Sequence, residues 1–182
     1  MKERQTTRSN PEQAAERLLA EYGIVKPSVS IERLARQIGA QLIYEPFDGE
    51  VSGMLVQEAI DGPPIIVVNS RTSKVRQRFT IAHKTGHLLL HNRKIYVDQP
   101  FAVKYSDSQS SLAIDPKEIQ ANQFGASVLM PRDGVIKDVD DLLARERGIS
   151  GDQLIQVFAD RYQVSRQAME YRLAHLGIWA PL

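Results

Sequence analysis

Along the chain the hydrophobic positions change period twice, and each change marks a different kind of element. After a polar lead at residues 1–9, expected to be disordered, Asn10-Pro11-Glu12 is a helix start. Proline in the first turn gives up no needed hydrogen bond, and the acid favours the positive end of the helix dipole. Ala14, Leu18 and Leu19 then recur at helical spacing until Gly23. A second helix is predicted near Ser30 to Ile38, with Ile31, Leu34, Ala35 and Ile38 on one stripe and Gly39 as its stop. Both helices are assigned to packing.

Between Ala40 and Asn69 the period shortens. The stretches QLIYEP, GMLVQEA and PPIIVVNS are short and rich in β-branched residues, with Asp48-Gly49 and Asp61-Gly62 as turn signals between them, so three antiparallel strands are predicted. The run Ile65–Val68 is expected to be the most buried. One of these strands is a candidate platform for a substrate backbone by strand addition, the alternative being a sheet that only covers the helices.

Helical spacing returns near Thr72 or Ser73, either of which can cap a helix. The first half of this helix, with Lys74, Arg76 and Arg78 around Gln77, suits solvent. From Phe79 through Ile81, Ala82, Leu88, Leu89 and Leu90 it is apolar nearly all round, which predicts burial. Asn92 to Ser111 reads as irregular, with short strands expected at Lys94–Asp98 and Phe101–Tyr105 and a polar tip SDSQSS. Asp115-Pro116 opens another helix, KEIQANQFGASVLM, which stops before Pro131. On it Glu118, Ala121, Asn122, Gly125, Ala126 and Leu129 form one face of mostly small residues. A charged helix at residues 133–147 ends at Gly148. Two more, Gly151–Tyr162 and Ser165–Leu176, meet at Gln163-Val164 in the manner of a helix-turn-helix. The fold class is α+β.

Composition narrows the partners. A chain of 182 residues, 42% hydrophobic and 25% charged, can bury a sizeable core. A formal net charge of +1 gives no electrostatic reason to expect nucleic acid or membrane as the main partner. The N-terminal MKERQTTRSN has no apolar signal core behind it, and no later run approaches a membrane span, so a cytoplasmic protein is expected. With no cysteine, histidine and carboxylate are the only strong zinc ligands available.

Those ligands are present in FTIAHKTGHLLLH, residues 79–91. On a helix His83 and His87 stack one turn apart with Cβ atoms about 5–6 Å from each other, a spacing that suits one tetrahedral zinc. Zinc peptidases of the His-Glu-x-x-His type place a glutamate after the first histidine to take a proton from the metal-bound water. Here that position is Lys84, and an ammonium accepts no proton. Gly86 costs about 1 kcal/mol of helix stability relative to alanine, which implies a close approach to the backbone. His91 is rotated well off the His83 direction and reads as a helix-end residue near the negative end of the dipole. For a third ligand Glu118 is chosen over Asp115, which is better explained as a cap. The competing reading is a pair of core histidines satisfied by hydrogen bonds, with Glu118 paired to an arginine.

RQRFTIAH-x-x-GHLLLH at residues 76–91 and E-x-x-AN-x-F-x-A-x-x-LMP from Glu118 to Pro131 together resemble the ImmA/IrrE family of metallopeptidases. The order of the elements around them is also similar. The resemblance implies a zincin-like helical domain over residues 1–131, with a C-terminal helix-turn-helix-like part, residues 132–182, packed on it. It further implies a gluzincin-like site with zinc on His83, His87 and Glu118 and water as the fourth ligand. Family members are associated with cleavage or displacement of repressors, with stress-responsive regulation, and in short forms with toxin-antitoxin pairs beside a helix-turn-helix partner. The chain departs from the family at Lys84, where a glutamate is usual, and at Thr85, where an apolar residue is usual. Lysine at that position removes the base and sets a positive charge beside a dication.

The expectation is therefore a zinc-peptidase-fold protein that acts on or binds a repressor- or antitoxin-like protein, with hydrolysis lost or impaired at Lys84. One alternative is a non-enzymatic toxin-antitoxin or regulatory component whose metal is a structural staple. Another is a DNA-binding regulator whose last helix presents Arg166, Gln167, Glu170 and Arg172, although acids among the basic residues weigh against it. Tyr171 and Arg172 are alternatively expected to face the metal site.

Overall fold

In the computed structural model, which describes residues 10–25, 28–49, 51–57, 62–91, 95–97, 115–146 and 148–178, helix α1 (Pro11–Glu21) begins at the expected start. The Asn10 side chain accepts from the Glu12 backbone N–H at 3.0 Å, and Ala15, Leu18 and Leu19 are buried. Helix α2 (Ile31–Gln37) buries Ile31, Leu34 and Ala35 and gives way to Gly39, whose φ of 91° favours glycine. The lead at residues 1–9, the strand expected at Phe101–Tyr105 and the polar tip at residues 106–111 lie outside the described residues.

The sheet departs from the sequence expectation in one respect. Strands β1 (Gln41–Glu45), β2 (Gly53–Val56), β3 (Ile65–Asn69) and β4 (Ile95–Val97) are ordered β1-β3-β2-β4. β2 pairs antiparallel with β3 and β4, but β1 runs parallel to β3, with Gln41 opposite Ile65 and Glu45 opposite Asn69. The sheet is mixed, not antiparallel. β3 is the most apolar strand, with Ile66 and Val68 fully buried, so it takes an interior place with a neighbour on each side. β1 and β2 are consecutive yet not paired. The chain between them is pinned by the buried Asn69 side chain, which donates to Val51 O (2.8 Å) and Phe47 O (3.2 Å) and accepts from the Phe47 N–H (3.2 Å).

Helix α3 (Lys74–Leu90) lies against the sheet and is capped by Ser73, whose hydroxyl accepts from the Arg76 N–H. Its contact with helix α4 (Pro116–Leu129) is the most extensive between any two elements among the described residues. Helices α5 (Arg132–Arg145), α6 (Gly151–Tyr162) and α7 (Arg166–His175) follow. Leu154, Ile155, Phe158, Tyr162, Met169 and Leu173 from α6 and α7 share one hydrophobic cluster with Ile81, Phe124 and Val128 of α3 and α4. The α6–α7 joint turns at Gln163, the one non-glycine residue with positive φ (54°) among the described residues.

Two basic residues that the charge pattern assigns to solvent or to a partner are instead buried. Arg78 donates to Val29 O (3.0 Å) and Gln163 O (3.3 Å), tying α3 to the approach to α2 and to the α6–α7 joint. Arg172 donates to Met130 O (2.9 Å) and pairs with Glu12 (2.8 Å), joining α7 to the end of α4 and to α1. Arg172 thus neither presents itself to DNA nor faces the histidines. A guanidinium has five donors in a fixed fork, so it satisfies carbonyls and a carboxylate at once, which the sequence pattern does not reveal.

Candidate metal centre

The site is built where α3 and α4 cross. A Cβ added to Gly86 would lie 3.1 Å from Ala121 Cα, and one added to Gly125 would lie 3.2 Å from the His83 backbone nitrogen. Glycine on each helix lets the two backbones approach closely, as the unfavourable Gly86 foretold. Asp115 caps α4 by accepting from the Lys117 N–H, so the neighbouring acid Glu118 is left to turn inward.

There His83 Nε2 lies 3.2 Å from Glu118 Oε2, His87 Nε2 lies 3.2 Å from Glu118 Oε1, and the two Nε2 atoms are 3.0 Å apart. The three residues form a group fit to hold a metal ion. Ligands at the usual 2.0–2.1 Å from a tetrahedral zinc stand about 3.3 Å from one another, so these separations suit one ion. Both imidazoles are buried, whereas the Glu118 side chain is 38% exposed. The imidazoles lie inside the protein, and of the three ligands only Glu118 reaches the surface.

Electrostatics favour the forms a metal takes. The His83 and then the His87 imidazole beside it hold the Glu118 carboxyl well below the usual carboxylate range. Burial pushes the His87 imidazole down; Glu118 opposes that shift, and the charges of His83 and Lys84 reinforce it. A carboxylate and a neutral imidazole are both deprotonated, as metal binding requires.

Lys84 is fully buried on the residue next to His83. Thr85 is also buried and donates back to Ile81 O at 2.8 Å, which satisfies its hydroxyl within the helix. Tyr171, the other side chain expected at the site, is 43% exposed on α7.

Two residues of the centre were not anticipated. His91 is the C-cap of α3, and its Nδ1 lies 3.2 Å from His87 Nδ1, while its Nε2 lies 2.9 Å from Gln120 Oε1. Compared with His83 it is rotated away, but His87 is only one turn before it. The signal was the second four-residue step, His87 to His91.

Residues 35–174 match the family described as the IrrE N-terminal-like domain, a peptidase family. A solved structure, a Mycobacterium tuberculosis transcriptional regulator, is similar in fold with a TM-score of 0.57 at 16% identity, over 90% of this chain and 46% of that one. This chain therefore spans under half the length of that regulator. No curated protein matches the chain in sequence. With the match running from α2 into α7 and enclosing both histidines and Glu118, the chain belongs to the IrrE N-terminal-like domain family.

Proposed function

We propose that this chain is a zinc-binding protein of peptidase descent that binds or acts on a repressor- or antitoxin-like protein, with peptide hydrolysis lost or impaired at Lys84. The observation that carries the reading is the convergence of His83, His87 and Glu118 beside a buried lysine. His83 and His87 offer nitrogen ligands from a rigid helix, and Glu118 supplies the anionic oxygen that balances a dication. When bound, zinc supplies a Lewis acid able to polarise a peptide carbonyl and to acidify a water. Hydrolysis also needs a group that accepts a proton beside that water, and the Lys84 ammonium has no lone pair to do so. Its positive charge, already felt at His87, opposes a cation as well. The partly exposed Glu118 side chain brings the site to the protein surface, where a partner protein would meet it.

The test is zinc content together with cleavage of helix-turn-helix repressor or antitoxin proteins, for the wild type and Lys84→Glu. Zinc-dependent cleavage by the variant alone supports the reading. No cleavage by either, with a stable partner complex, supports a non-enzymatic regulator whose metal is a staple.

A DNA-reading role through α7 has less support. Arg172 is committed to Met130 and Glu12, and Arg166 pairs with Asp152. Salt-dependent binding of duplex DNA by the isolated protein would restore that reading.

A further inference from the structure

The far side of His87 carries a second ordered contact. Gln120 Oε1 is an amide oxygen and only accepts, so at 2.9 Å the His91 Nε2 carries the proton. A singly protonated His91 ring then has its lone pair on Nδ1. His87 Nδ1, 3.2 Å away, must donate to it, which leaves the His87 lone pair on Nε2. The other end of the ring agrees. The Nε2 atoms of His83 and His87 are 3.0 Å apart, the distance of a hydrogen bond in which one ring donates and the other accepts, and a His87 lone pair on Nε2 fits the accepting role.

We propose that His91 and Gln120 are positioning residues that hold His87 in its Nδ1–H tautomer, with the Nε2 lone pair aimed at the metal position. The inference rests on the zinc-binding reading above. It adds that metal affinity is set partly by a relay that starts on α4 and returns to α3 through the C-cap. Gln120 is two residues after Glu118, so one turn of α4 supplies both an anionic ligand and the acceptor that fixes the tautomer of a second ligand. Outer partners of this kind typically change metal affinity by about 10- to 100-fold.

The test uses the full chain and zinc itself. Competition with a chelating indicator should show His91→Phe and Gln120→Leu binding zinc about tenfold more weakly than wild type, while Gln120→Glu, which keeps an acceptor, retains affinity. Long-range proton–nitrogen correlation spectra of the metal-free wild type should place the His87 proton on Nδ1, and Gln120→Leu should lose that preference. A packing role alone would not move the tautomer. Wild-type His87 protonated on Nε2, or either weakening variant binding zinc as tightly as wild type, overturns the proposal. If the wild type binds no zinc, the metal reading fails by itself, and the tautomer measured on metal-free protein still decides the relay.

Discussion

A Cβ placed on Gly86 would lie 3.1 Å from both the Cα and the carbonyl oxygen of Ala121, so at the α3–α4 crossing a methyl group fits only if its neighbours give by a few tenths of an ångström. Two of the atoms in the way are backbone, and the third, also at 3.1 Å, belongs to the ring of the fully buried Phe124, so none swings aside freely. Gly86→Ala should gain up to about 1 kcal/mol of helix propensity and lose about 1–3 kcal/mol to overpacking, a net destabilisation. Because the helices must separate, Glu118 moves away from the imidazoles and zinc affinity falls as well. A thermal melt with a zinc titration checks this, and an unchanged affinity would show slack at the crossing.

Replacing Lys84 by methionine separates its two effects. Even screened as in water, a unit charge and a dication repel by roughly 2 kcal/mol at 4 Å and about half that at twice the distance, on the order of tenfold in affinity. Lys84→Met should therefore bind zinc about tenfold more tightly than wild type yet gain no cleavage. Lys84→Glu should gain both. Equal zinc affinity in wild type and Lys84→Met would mean that the ammonium does not act on the site.

Arg172 and Glu12 form a buried pair with side chains 2% and 18% exposed. Removing one partner leaves the other charged and desolvated, which typically costs about 3–5 kcal/mol. Arg172→Leu should lower the denaturant midpoint accordingly, since it also strands Met130 O. Adding Glu12→Gln to Arg172→Leu should recover part of that loss. A fully stable Arg172→Leu would argue against this role for α7.

The buried Tyr162 hydroxyl donates to Asp138 Oδ2 at 2.8 Å, while Arg161 holds Asp138 Oδ1. Burial first, and then the hydrogen bond to Asp138, push the phenol well above its ordinary value of 10.0. The folded state therefore keeps a proton that the unfolded state releases above about pH 10. This contribution is fully present below that pH and declines as pH rises further. Tyr162→Phe should cost roughly 1.5–3 kcal/mol at neutral pH, and its deficit should shrink above pH 10 in urea melts. A deficit independent of pH would contradict the assignment.

The amino-acid order by itself determined the local elements and half of the centre. Asp115 caps its helix as expected, Ser73 is the one of the two candidates that caps α3, and Asn10 caps the helix whose start Asn10-Pro11-Glu12 marked, because capping is settled within three residues of chain. His83 and His87 share a face because a helix has a fixed pitch, and the small-residue face of α4 marked where another backbone comes near. Only the tertiary structure decided which distant groups meet. It set β1 parallel to β3, because the most apolar strand takes the place between two neighbours. It buried Arg78 and Arg172, because carbonyls and acids from remote segments surround them. It also brought His91 and Gln120 behind His87, which depends on the angle at which two helices cross. Such pairings are matters of packing between segments far apart in sequence, and no local spacing specifies them.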